Sequence, residues 1–193
     1  MKTEVWDARI DYDAGPGVRE VIAAIGRTED VKLSPDNRRL VILDYFAKKI
    51  FLFSIRIANG LSSPGVTLSD YSILSSTALK EPHGVAFVDN DHIIVCNRTA
   101  DVCVFRLPVP GEHPRERTVT PLASIKGKGF LSAKVLSPGS VDCYKTAEDC
   151  YRFLICNNRW NAVTSHTIRL GDSIRIRNEG ILLEERLRIP DGI

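Results

Sequence analysis

The sequence has few of the features that announce a chemistry. Its five cysteines, Cys96, Cys103, Cys143, Cys150 and Cys156, contain no C-x-x-C and are odd in number. That argues against a disulfide framework and against zinc, and fits reduced, mostly buried thiols in a reducing compartment. The C-x6-C spacing shared by Cys96/Cys103 and Cys143/Cys150 falls on different hairpins and carries no metal signal. No apolar run approaches the roughly 18 residues of a membrane span, and Met1–Asp7 lacks the apolar core of a signal peptide. A basic tract is missing too. The 26 Lys+Arg are balanced by 24 Asp+Glu for a net charge of +2, and pairs such as Arg38-Arg39 and Lys48-Lys49 read as solvated surface. Neither nucleic acid nor membrane is therefore an expected partner, and a soluble cytoplasmic protein is the expectation. There is no G-x-S-x-G elbow, no phosphate-binding glycine loop and no H-E-x-x-H. Gly127-Lys128-Gly129 is too short to cradle a phosphate.

What is present is a repeat. Val31, Val85, Val141 and Ile193 recur at intervals of 54, 56 and 52 residues. Such a period suits four strands with one long connection, slightly above the roughly 40 to 50 residues of common propeller blades. Each copy opens with a short strand (Val31–Leu33, Val85–Val88, Val141–Tyr144). A turn rich in Pro, Asp and Asn follows, as in Ser34-Pro35-Asp36-Asn37 or Asp89-Asn90-Asp91. A continuous apolar run comes next (Leu40–Leu43, Ile93–Cys96, Phe153–Cys156). Unbroken apolar runs imply burial on both faces, which a blade clasped between two neighbours supplies. A third strand alternates more (Ile50–Ile55, Val102–Leu107). Val66–Ser75, Thr118–Ile125 and Ile174–Arg186 are the expected outer strands.

The fold class this predicts is an all-β propeller of four-stranded antiparallel blades, about three complete with partial blades at both ends. Residues 1–28 hold the outer strands of a preceding blade, Thr3–Tyr12 and Val18–Ile25. Residues 29–81, 82–137 and 138–188 form the three complete blades, and 189–193 begin a further one. No amphipathic helix is expected.

The strings Pro82-His83-Gly84-Val85-Ala86-Phe87, Ile93-Ile94-Val95-Cys96-Asn97-Arg98 and Val102-Cys103-Val104-Phe105 resemble the NHL-type repeat. More broadly, about residues 29 to 193 look like the six-bladed propellers of the senescence-marker/gluconolactonase, lactonase-like group. The resemblance implies six blades, about 320 residues at this period. It also leaves an unpaired edge where the last repeat begins. The expectation is a truncated sequence or, failing that, a homodimer in which two copies complete a ring.

In propellers of that group the start of each innermost strand faces the mouth of the central channel. There Asn, Asp or Glu residues from several blades hold one calcium ion, as a hard cation requires. The matching positions here are Glu29 or Asp30, His83, Gly139-Ser140 and Asp191. His83 stands where an Asn is expected, and the third repeat offers no carboxylate or amide. The Pro82-His83 string also resembles the peptidyl-hydroxyglycine lyases, which use several histidines at this level for zinc; this chain has one. His83, Glu29 and Asp191 are the candidate ligand or metal residues. His83 reads either as such a group or as a histidine satisfied by local backbone; Glu29 and Asp191 read either so or as solvated, turn-forming carboxylates. Asp44, Asn97 and Asn157, each ending a second strand, read as structural residues that tie down the following hairpin. The function expected is a binding or scaffold module for a small molecule or protein. The alternative is a metal-dependent lactonase or esterase using a divalent cation.

Overall fold

The computed structural model describes residues 12–59, 64–127, 134–184, 187–190 and 192. Among them the protein is nearly all β, with three antiparallel four-stranded meanders and one helix. The first sheet contains β2 (Thr28–Leu33), β3 (Arg39–Asp44), β4 (Lys49–Asn59) and β5 (Pro64–Ser75). The second contains β6 (Pro82–Phe87), β7 (His92–Asn97), β8 (Val102–Arg106) and β10 (Ala123–Ile125). The third contains β11 (Pro138–Ala147), β12 (Cys150–Asn157), β13 (Ala162–Arg169) and β14 (Arg175–Leu183). Two short strands join the outer edge of β5 in parallel: β1 (Tyr12–Ala14) along Val66–Leu68 and β9 (Glu116–Thr118) along Ile73–Ser75.

The sheets stack face to face in chain order, and the second strands show why their runs are continuous. In β7, Ile93 and Val95 point into a core shared with Val41, Leu43, Ile50 and Leu52 of the first sheet. Ile94 and Cys96 point the other way, against Val141, Phe153, Ile155 and Ile168 of the third. All four are fully buried, so both pleat faces must be apolar. The cysteines follow the same logic. All five are free thiols, and burial pushes Cys103 and Cys143 up to about 12 and Cys96 well above its ordinary value.

The N-terminal expectation needs correcting. Residues Pro16–Ala24 form helix α1, not a strand. Pro16 sits in the first turn, where its missing N–H costs nothing. Val18, Val21, Ile22 and Ile25 then recur at helical spacing and cover the free face of the first sheet, packing with Phe51, Phe53 and Leu68. Residues 3–11 of the other expected strand lie outside the described residues. A second correction concerns Thr118–Ile125, which is not one outer strand. Its start, within β9, pairs with the first sheet, and only Ala123–Ile125 closes the second. Pro121 between them has no N–H to donate to a continuous ladder.

Among the described residues no helix is long and apolar enough to cross a membrane.

Candidate functional site

The first strands β2, β6 and β11 lie side by side, and their starts share one rim of the stack with the ends of the second strands. Backbone contact sets this spacing. A Cβ on Gly84 of β6 would strike the Gly139 carbonyl oxygen and lie 2.9 Å from Ser140 Cα and 3.1 Å from Val141 N, all of β11. On the other side the Val85 N–H donates to Asp30 Oδ2 of β2 (2.9 Å), whose Oδ1 accepts from Val31 N–H (2.8 Å). Neighbouring strands are thus tied within hydrogen-bonding reach at the point where the candidate residues emerge.

There the structure brings two of the three expected ligand candidates together. Glu29 Oε2 lies 3.1 Å from His83 Nε2, with both side chains mostly buried (9% and 13% exposed). Two arginines complete the cluster. Arg27 Nε pairs with Glu29 Oε1, and an Arg98 guanidinium nitrogen lies 2.7 Å from His83 Nε2. One imidazole nitrogen therefore faces both a cationic donor and an anionic acceptor. It can offer a lone pair to Arg98 or a proton to Glu29, not both at once. Such a group changes role with the position of one proton, which is the property asked of a binding or acid–base residue.

Around this core the rim is partly aromatic. The Arg27 guanidinium stacks 4.7 Å from the Tyr45 ring centroid and 5.7 Å from that of Phe46, which is largely exposed. Partial burial, and then the neighbouring Glu81 carboxylate, hold the Tyr45 phenol above its ordinary range. Trp160 is also exposed, in the turn that follows β12.

The remaining candidates fall as follows. Asp191 lies outside the described residues. Gly139 occupies the equivalent position in the third repeat and brings no side chain. Among the described residues no group of three or more His, Cys, Asp or Glu is arranged to hold a metal ion. Arg27, Arg98 and Tyr45 were missed by sequence reasoning. The available signal was positional: Arg98 and Tyr45 each follow the last residue of a second strand, which an antiparallel pair delivers to the rim where the first strand begins.

Asp44, Asn97 and Asn157 are buried (1%, 0% and 0% exposed) and bonded to backbone in one repeated way. Asp44 Oδ2 accepts from Gly26 N–H (2.7 Å), Asn97 Oδ1 from Lys80 N–H (2.8 Å), and Asn157 Oδ1 from Leu136 N–H (2.8 Å). Each donor lies two residues ahead of its first strand. Asp44 Oδ1 also accepts from Ala47 N–H (2.9 Å), and Asn97 Nδ2 donates to the Asp101 carbonyl (2.7 Å). These side chains fix the approach to the next first strand while holding their own hairpin.

A cleft of about 700 Å³ lies at the opposite end of the first sheet, lined by Asp36, Asn37, Arg38, Ser54 and Arg56 among others. It contains none of the candidate residues.

No protein-family model and no curated protein matches the chain. Solved structures do. One structure of Hsv2 from Kluyveromyces lactis superposes with a TM-score of 0.51 at 8% identity, over 83% of this chain and 49% of that one. Another gives 0.50 at 10% identity, over 87% and 49%. A Bacteroides fragilis protein described as a candidate 6-phosphogluconolactonase gives 0.47 at 13% identity, over 81% and 42%. The likeness to Hsv2 is one of fold, and it is propeller-like. The chain spans about half the length of the solved structures it matches.

Proposed function

We propose that the chain is an arc of a propeller that serves as a binding module. Its site is the channel mouth, where the first strands of consecutive blades begin. The meanders are its blades, divided at 29–81, 82–137 and 138–188, and further blades complete a six-bladed ring, supplied by a longer chain or by a second copy. One observation carries this reading: Glu29 and His83, from neighbouring first strands, meet at a single imidazole nitrogen that Arg98 also reaches. Groups of both charges around a nitrogen of either role suit a small polar ligand or a polar side chain of a partner protein. The exposed ring of Phe46 beside Arg27 supplies adjoining apolar surface.

The test is a thermal-shift panel of calcium, small carboxylates and sugar lactones on the wild type and His83→Ala. The expected result is a rise in Tm with at least one of these in the wild type, lost in the variant. The same response in both proteins removes His83 from the site.

A metal-dependent lactonase or esterase is the second reading, favoured by the same convergence of Glu29 and His83. It requires further oxygen ligands, with Asp191 the next by its place in the repeat. Stoichiometric calcium and lactone turnover would support it; absence of both would sink it.

A further inference from the structure

The outer edge of the third sheet differs from that of the first. In the first sheet, β1 and β9 add to the edge of β5, so this chain twice covers an outer edge by strand addition. In the third sheet, β14 is the last strand, and among the described residues nothing pairs with its outer side. It is nine residues long, and an unpaired edge of that length is a template for another strand.

The side chains along that edge state what it would accept. Pairing runs Tyr144, Arg152, Thr167 and Arg177 in one row across the sheet, with Cys150, Arg169 and Arg175 in the next. Four exposed arginines therefore share the face turned away from the second sheet. Two carboxylates, Asp142 and Glu179, stand against them; Glu179 accepts from Thr167 Oγ1 (2.8 Å) and lies 3.5 Å from Arg177 Nε. At the far end of the strand Ile181, Leu182 and Leu183 are each more than half exposed. The edge is cationic at its start and apolar at its end.

We propose that β14 is a docking edge for an extended acidic peptide segment of a partner protein, which adds as a further strand. Its backbone would pair with β14, its carboxylates would meet Arg175 and Arg177, and its apolar residues would cover Ile181–Leu183. A second copy is the poorer occupant. Two β14 edges paired antiparallel about a two-fold axis set the arginine end of each beside the apolar end of the other, so Arg175 and Arg177 gain no carboxylate partner. An acidic strand supplies that partner.

The probe is a fluorescent nine-residue peptide of alternating Glu and Val, followed by anisotropy and by hydrogen exchange of the full chain. Binding should slow amide exchange in residues 174–184. The double variant Arg175→Glu/Arg177→Glu should weaken it by about tenfold, a rim-charge effect of the size expected for two exposed ion pairs and their reversal. Arg106→Glu, an exposed charge on the second sheet, should leave it unchanged. No binding overturns the proposal, as does binding that ignores the double variant or leaves exchange in 174–184 untouched. A wild type that dimerises and already protects 174–184 without peptide also overturns it, in favour of a second copy.

Discussion

A single substitution in the repeat gives this protein a pH-sensitive core. Residues four before Asp44, Asn97 and Asn157 are Leu40, Ile93 and Phe153, and their partners on the third strands are Phe53, Phe105 and His166. His166 thus stands where the other two sheets have phenylalanine. It is fully buried and stacked on Phe153 at 5.1 Å, with Nε2 2.9 Å from Thr164 Oγ1, which also accepts from Asn157 Nδ2 (2.9 Å). Its Nδ1 is buried without a hydrogen-bond partner. Burial, opposed by the Glu179 charge, pushes the imidazole down to about 4. Because the unfolded chain then binds the proton more tightly, this contribution to stability is complete above the unfolded value near 6.5. It is lost as pH falls through that value toward 4, by roughly 3 kcal/mol in all. Urea unfolding at pH 7.5 and pH 5 should show the wild type losing more stability than His166→Phe. Equal losses would mean that His166 is not the titrating group. At this scale Glu29 and His83 were legible because they open a repeat. Arg27 and Arg98 were not, because their contacts form across a rim that no local pattern encodes.

At the scale of elements, the alternation of β7 between two cores is matched by the closeness of β6 to β11. Gly84 has no room for a side chain against the β11 backbone. Gly84→Ala should therefore force the two strands apart and cost about 2 to 3 kcal/mol. Gly171→Ala, where a Cβ meets nothing within 4 Å, serves as the control. A urea midpoint for Gly84→Ala equal to that control would contradict strand contact at this position. The second strands were legible because burial on both faces leaves an unbroken apolar run. Helix α1 was not, since four apolar residues at spacings of three, one and three, read beside short strands, pass for another short run. The destination of β9 was equally hidden. A three-residue segment carries too little pattern to say which sheet edge it joins.

At the scale of the molecule, the order of layers is α1, first sheet, second sheet, third sheet, each sheet sharing an apolar core with the next. That stacking places the starts of β2 and β6 together, and it makes a site out of residues 54 positions apart. Links at the opposite end hold the same register: Asp36 N–H donates to Asn90 Oδ1 (3.2 Å), and Arg39 pairs with Asp91 (3.0 Å). The proposed site depends on Glu29 and His83 acting as one unit across two sheets. The direct measurement is a double-mutant cycle of Glu29→Gln and His83→Ala by urea unfolding. The account predicts a coupling of about 1 kcal/mol, as for residues in one hydrogen-bonded network. Additive effects would mean that the two side chains do not share a site, and the proposed channel mouth would lose its basis.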